Sequence, residues 1–364
     1  MKERFLMCGR TRAVALAVLA VLATICTAAT SASAKIPEQT GHGQNGRIAF
    51  RRYLDVAKTT SAIFTVNPDG TKLRQVTRPQ PGVDDRRPDW SANGAKIAFE
   101  RKLPCPAGGP KDGLQNTCDL VFRVRASGGT LRRLVPCRFK VGAGTGTPGA
   151  DCVGVDDPAW SRSGAHIAFQ YNLVNGRYSG SLGVDVGIWI VGSNGAGLHQ
   201  VTQRTPGTSW DSGVSWSPDD QQLAFVRSDL AGDADAIFTI NVDGSEERQL
   251  TPWELGGGDR TDWSPDGRWI LFRVQSHDGA SNLYKVHPDG TGLTNLTNQG
   301  PHGYQYLSAS FSPDGTEIAT ARTPGAGPEG AADLYVMTAD GSNIRPVMHT
   351  RLWESATDWG PRPK

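Results

Sequence analysis

Short apolar runs recur along the chain in a fixed order, each parted from the next by a polar turn. Gly46-Arg47-Ile48-Ala49-Phe50 is followed by Ile63-Phe64-Thr65-Val66-Asn67-Pro68-Asp69-Gly70, and then by a run from Leu73 to Thr77. The same phrase returns as Ile97-Ala98-Phe99 with Leu120 to Gly128, Ile167-Ala168-Phe169 with Ile188 to Gly195, and Leu223-Ala224-Phe225 with Ile237 to Gly244. Ile270-Leu271-Phe272 with Leu283 to Gly290, and Ile318-Ala319-Thr320 with Leu334 to Gly341, complete the series. Each unit predicts four short strands. One such sheet cannot bury both of its apolar faces alone, so repetition at about 48 residues predicts sheets stacked as blades, an all-β propeller.

A corner residue opens each unit in one register: Trp90, Trp160, Trp216, Trp263, Phe311 and Trp359. The intervals of 70, 56, 47, 48 and 48 residues locate insertions in the second and third units. In Trp216-Ser217-Pro218-Asp219 and Trp263-Ser264-Pro265-Asp266-Gly267 the proline fixes φ for a turn between the first and second strands. Asp69-Gly70, Asp243-Gly244, Asp289-Gly290 and Asp340-Gly341 read as hairpin turns between the third and fourth strands. Coming singly, once per unit, they lack the alternating oxygen ligands of a calcium loop. Asp229, Asp233 and Asp235 lack the closing glutamate and read as a polar loop. The first unit has no opening corner, and Asp358-Trp359-Gly360-Pro361 is a corner with no strands behind it. Joined, they predict six blades closed by the last strand as a clasp on the first, which removes exposed sheet edges.

The string Trp-Ser-Pro-Asp-Gly, Ile-Ala-Phe, Leu-Tyr-Val and Asp-Gly-Ser/Thr…Leu-Thr resembles the TolB-like, WD40-like β-propeller repeat from Gly46 to Pro361. The resemblance implies the propeller alone, without the N-terminal α/β domain of TolB itself. Similar blades precede the catalytic domain of prolyl oligopeptidase relatives.

Outside the repeat, residues 1–34 read as an export signal. Lys2, Arg4, Arg10 and Arg12 precede an apolar stretch from Ala13 to Thr27, and Ala32-Ser33-Ala34 fits a cleavage site. Residues 35–45 read as a polar arm and 46–364 as the propeller, so a secreted or periplasmic, monomeric protein with no further membrane span is expected. Without the signal the chain holds 34 basic and 35 acidic residues. That balance argues against nucleic acid, whose affinity rests on clustered positive charge. Cys105, Cys118, Cys137 and Cys152 form an even, clustered set in an exported chain, which reads as disulfides. Of three pairings, Cys105–Cys118 and Cys137–Cys152 are favoured over a metal site, because neither a CxxC spacing nor a histidine occurs there.

Just before each innermost strand, at the expected channel mouth, stand Asp85, Asp157, Asp211, Asp259 and Glu354, with Tyr306 in the sixth place. Converging carboxylates repel unless a cation or a basic partner neutralises them. The competing reading is that each caps nearby backbone N–H groups. Beside them Trp210, Trp353, Trp253, Tyr304 and Tyr306 suit a protein, peptide or glycan ligand, with His302 in the same loop as the tyrosines. No cofactor is expected beyond a calcium ion on the axis. The sequence holds no Gly-x-Ser-x-Gly elbow, His-Glu-x-x-His or phosphate loop. A non-catalytic binding propeller is therefore the expectation. The alternative is an extracytoplasmic propeller lyase or hydrolase acting on polysaccharide or peptide at the same face, assembling His302 with Asp259 and Tyr306.

Overall fold

The computed structural model describes residues 43–104, 117–135, 152–174, 184–203, 208–276, 279–300, 302–324 and 331–363. The expected signal, nearly all of the expected arm, Cys105 and Cys137 lie outside these residues. Within them, β1 (Asn45–Tyr53), β2 (Ser61–Val66) and β3 (Arg74–Gln75) precede β4 (Asp84–Trp90), β5 (Lys96–Pro104), β6 (Thr117–Arg125) and β7 (Arg132–Arg133). Then come β8 (Cys152–Trp160), β9 (His166–Val174), β10 (Val184–Gly192), β11 (His199–Gln200), β12 (Ser209–Trp216), β13 (Gln222–Asp229), β14 (Ala234–Asn241) and β15 (Arg248–Gln249). The last are β16 (Gly257–Trp263), β17 (Ile270–Gln275), β18 (Ser281–Val286), β19 (Thr294–Asn295), β20 (Gln305–Phe311), β21 (Glu317–Thr323), β22 (Asp333–Thr338), β23 (Arg345–Met348) and β24 (Glu354–Pro361). Helix is limited to one 3-10 turn at Trp253–Leu255 among the described residues, and no helix there is long and apolar enough to cross a membrane.

The strands pair as antiparallel meanders of four: β4 to β7, β8 to β11, β12 to β15, β16 to β19 and β20 to β23. β24 lies antiparallel beside β1, with Ile48 opposite Trp359 and Arg52 opposite Glu354, so that sheet runs β24–β1–β2–β3. Single parallel bridges join Ser61 to Asp84 and Asp119 to Gly154.

Second and third strands are apolar on both faces because each sheet is covered on both sides. Phe50, Phe99, Phe169, Phe225 and Phe272 are buried between sheets, each contributing about 1.5–3 kcal/mol. Every core cluster draws on two successive sheets. One joins Ala49 and Ile63 to Ile97 and Val124, another Ala224 and Ile237 to Ile270 and Phe272. A third joins Ala319, Leu334 and Val336 to Ile48, Phe50 and Trp359. First strands touch in sequence, β4 to β8, β12, β16, β20 and β24, and β24 touches β4.

The corners fold by one local rule. Ser217 Oγ donates to Asp219 Oδ1 at 2.6 Å while accepting from the Gln222 N–H at 2.9 Å, and Ser264 with Asp266 and Ser312 with Asp314 repeat it. At the final corner Gly360 is required: a Cβ there would lie 2.3 Å from Cγ of Trp90, whose ring packs on it.

Candidate functional site

The first strands are not regular. Register shifts break β4 between Arg86 and Asp89, β8 between Asp156 and Ala159, β12 between Ser212 and Ser215, and β16 between Gly258 and Thr261. At these bulges Arg87, Asp157, Gly213 and Asp259 take left-handed φ of 52°, 50°, 59° and 92°, and Ala356 in β24 takes 52°. Left-handed backbone costs a non-glycine residue about 1–3 kcal/mol and is retained where surrounding contacts determine it. Bulges bend a strand and re-aim its side chains. Here they bring Arg87 onto Asp157, with which it makes a close ion pair, and within 3.6 Å of Asp259.

Beside these bulges lies a cavity of about 260 Å³. Arg51, Arg86, Arg87, Arg260 and Arg273 line it, against the single carboxylate of Asp259, with Trp353 and Leu307 as apolar wall. Arg260 donates to Asp89 Oδ2 at 2.9 Å and to the carbonyls of Pro88 and Pro158 at 3.1 Å. Arg273 is 3.8 Å from Asp259, and its Nε is buried without a hydrogen-bond acceptor. Each of these arginines has an acid of the chain beside it, Arg51 with Asp84, Arg86 with Glu100, Arg87 with Asp157, Arg260 with Asp89 and Arg273 with Asp259, and guanidinium edges fit carboxylates bidentately.

Of the acids singled out in the sequence, Asp259 reaches this cavity and the others stand behind it in ion pairs. Asp85 accepts from Arg101 Nε at 2.6 Å and Nη2 at 2.8 Å. Asp211 accepts from Arg227 Nε at 2.6 Å and Nη2 at 3.1 Å, and Glu354 from Arg52 Nε at 2.8 Å. Burial pushes the Asp85 and Glu354 carboxyls up despite those arginines. The cation that converging carboxylates demand is thus supplied by the chain's own arginines. Tyr306, in the sixth place, is buried with its hydroxyl 3.4 Å from Arg322 Nη1.

Trp353 lines the cavity with Lys58 Nζ 3.6 Å from its ring centre. Trp253 packs on Phe238 instead. Trp210 and Tyr304 are exposed, 45% and 39%, and Arg322 stacks on Tyr304 at 3.8 Å. His302 is exposed, and no hydrogen bond joins it to Asp259 or Tyr306 among the described residues. The histidine that does meet a carboxylate is His349, whose Nδ1 lies against buried Asp333 and whose ring is open to solvent.

Sequence reasoning missed the arginines, although a signal was present. Asp85 and Arg101, Asp211 and Arg227, and Tyr306 and Arg322 are each 16 residues apart and directly opposite across the first and second strands. It also missed an inner set of carboxylates that ties sheet to sheet. Asp358 accepts the Trp90 N–H at 2.6 Å, Asp89 the Trp160 N–H at 2.7 Å, and Asp262 the Phe311 N–H at 2.6 Å. Burial pushes all three carboxyls up, Asp262 to about 7.

Other features are structural. Asp69, Asp243, Asp289 and Asp340 each accept a hydrogen bond from a neighbouring hydroxyl, of Thr71, Ser245, Thr291 and Thr338, and then from the N–H two residues ahead, which hold their carboxyls low. A larger concavity of about 680 Å³, bordered by Asn67, Asp69, Lys72 and Arg345, lies among such turns. Cys118 is buried and disulfide-bonded; the pairing expected for it rests on residues outside those described.

No family model matches the chain. Solved structures match its fold: TolB of Acinetobacter baumannii superposes with a TM-score of 0.61 at 16% identity, over 87% of this chain and 67% of that one. A TolB candidate of Agrobacterium tumefaciens gives 0.56 at 19% identity, over 87% and 91%. In fold the protein is therefore a β-propeller of the TolB-like kind. Among curated proteins it is 33% identical over 132 residues to an uncharacterized peptidase, YuxL, of Bacillus subtilis, covering 35% of this chain and 18% of the relative. It is 23% identical over 317 residues to dipeptidyl-peptidase 5 of Porphyromonas gingivalis, covering 69% of this chain and 45% of the relative. The chain thus spans less than half the length of these relatives. Their names point to enzymes, which corrects the expectation of a propeller without catalysis. That expectation rested on absent sequence motifs, and short motifs do not register a site assembled from distant strands.

Proposed function

We propose that the protein is an extracytoplasmic propeller hydrolase that acts on peptides at the face where the arginine cavity opens. Its six sheets form a ring in which β24 is the clasp beside β1. The unbroken succession of first-strand contacts, and the core cluster shared by β1, β24, β21 and β22, support that closure. The names of the two peptidase relatives support the substrate class. One observation carries the reading: five guanidinium groups border a small cavity beside Asp259, and Arg273 Nε is buried there 3.8 Å from Asp259 Oδ2 and in no hydrogen bond. The group this cavity takes is a substrate carboxylate, which anchors the peptide bidentately. His349, oriented by Asp333 with its other ring nitrogen free, follows the same logic as an oriented general base, and it shares the β23–β24 connection with Trp353.

The test is hydrolysis of matched peptides with free and amidated C-termini. Free-acid peptides should be favoured, and Arg273→Ala should raise KM for them about tenfold or more, as expected for losing a charged hydrogen bond. His349→Ala should lower kcat and leave peptide affinity in place. Equal turnover of both peptide forms would remove the cavity from the reading, and absence of any peptide cleavage would remove the activity.

A further inference from the structure

Where the second sheet meets the third, three carboxylates converge without an arginine for each. Glu100 stands on β5, Asp119 on β6 and Asp156 on β8, and one oxygen of each lies within 4.8 Å of the other two. Glu100 is wholly buried. Glu100 Oε2, Asp119 Oδ1 and Asp156 Oδ1 are all closed off from solvent and accept no hydrogen bond. One such oxygen is costly, about 1–3 kcal/mol or more for a charged group, and three in one place also repel one another.

The chain's own donors account for part of the charge. Arg86 contacts the other oxygen of Glu100 and lies 3.7 Å from Asp119 Oδ1. Arg87 Nε is 3.7 Å from Glu100 Oε2, but its close partner is Asp157. Asn172 donates to Asp156 Oδ2 at 2.9 Å, and Lys102 adds positive charge near Asp119. Burial, and then Glu100 and Asp119, still drive the Asp156 carboxyl far above the usual range, and burial pushes Glu100 up to about 6. The three acids lie where the two sheets meet, beside the single parallel bridge from Asp119 to Gly154.

We propose that Glu100, Asp119 and Asp156 hold a calcium ion that clips β5 and β6 to β8. The donors are all hard carboxylate oxygens, the set that calcium prefers and thiophilic metals do not. Oxygens within 4.8 Å of one another can share one calcium ion at about 2.3–2.6 Å, and their closure from solvent disfavours magnesium, which keeps several of its waters. This place differs from the axial site expected from the sequence, whose acids are engaged by arginines. It is also independent of the peptidase reading.

The experiment uses the full chain, dialysed against EDTA and titrated with CaCl2 by calorimetry, with thermal unfolding in parallel. The native protein should bind one calcium ion per chain saturably and gain a few degrees in Tm, as a ligand of the folded state must. Asp156→Asn should abolish the titration, and without metal it should unfold at a higher temperature than the metal-free native chain, because it removes repulsion. Asp243→Asn, in an exposed hairpin, should bind as the native protein does. Absence of binding to the native chain, preference for magnesium, or unchanged binding by Asp156→Asn would each overturn the proposal. The native titration decides alone if the variant fails to fold.

Discussion

The sheet containing β12 and β13 and the sheet containing β20 and β21 place an arginine at the same register, and surround it in opposite ways. Arg227 lies across from Asp211, which it grips with two hydrogen bonds, and also contacts Glu247 at 2.8 Å while resting on Phe225 and Phe238. Arg322 lies across from Tyr306 and has no carboxylate in contact among the described residues. It stacks on Tyr304 at 3.8 Å and Tyr335 at 3.9 Å, and its Nε is buried without an acceptor. Position in the sheet therefore fixes a guanidinium at this place, while the opposing first strand decides whether ion pairing or stacking holds it. Where pairing wins, the charge is used internally. Where stacking wins, hydrogen-bonding capacity is left over.

Breaking the paired member should have the largest effect. Arg227→Ala removes both hydrogen bonds that Asp211, wholly buried, accepts from it, and loss of one partner of a buried pair costs about 3–5 kcal/mol. Urea unfolding should show this as a lower midpoint with an unchanged slope. A double replacement of Asp211 and Arg227 by apolar residues of similar volume should recover much of the loss, because a buried pair and an apolar substitute are often near equal. If the double variant is as unstable as the single one, the pair is not what the arginine contributes.

The difference between these two sheets was only half visible in the sequence. Strands, corners and turns were legible because each depends on neighbours within a few residues: Ser217 and Asp219, or Asp243 and Ser245, complete their hydrogen bonds locally. The acids at Asp85, Asp157, Asp211, Asp259 and Glu354, expected just ahead of the first strands, lie within them. Their partners Arg101 and Arg227, like Arg322 opposite Tyr306, stand 16 residues on, so the acids alone do not give the charge of the mouth. The bulges at Arg87, Asp157 and Asp259 were out of reach. A register shift of one residue depends on what lies across the sheet, and these left-handed residues carry no glycine to announce it. Consequently Asp259 and Trp353 are the sequence-derived site residues that line the arginine cavity.

A carboxylate with neither arrangement sharpens the contrast. Asp262 accepts the Phe311 N–H and has no arginine in contact among the described residues, and burial, opposed by Arg162 at longer range, raises its carboxyl to about 7. The unfolded chain ionises it near 4, so between about pH 4 and pH 7 the folded protein holds the extra proton. Stability must then fall as pH rises through that window and level off above it, by roughly 1.4 kcal/mol per unit at the steepest. Asp262→Asn keeps an oxygen for the Phe311 N–H and removes the titration. Unfolding midpoints at pH 5 and pH 8 should lie closer together in the variant than in the native protein; equal separations would count against the raised value.

The stacked member should give the smallest effect, and it is the one that separates the two ways of holding an arginine. Arg322→Leu preserves apolar contact with Tyr304 and Tyr335, so it forfeits stacking, worth about 0.5–2 kcal/mol, and the long contact to the Tyr306 hydroxyl. A double-mutant cycle with Tyr335→Leu should return a coupling of that size, since the two side chains touch and each replacement removes the contact cleanly. A cost for Arg322→Leu matching that of Arg227→Ala would mean that a buried negative charge depends on Arg322 after all, and the distinction between the two sheets would fail with it.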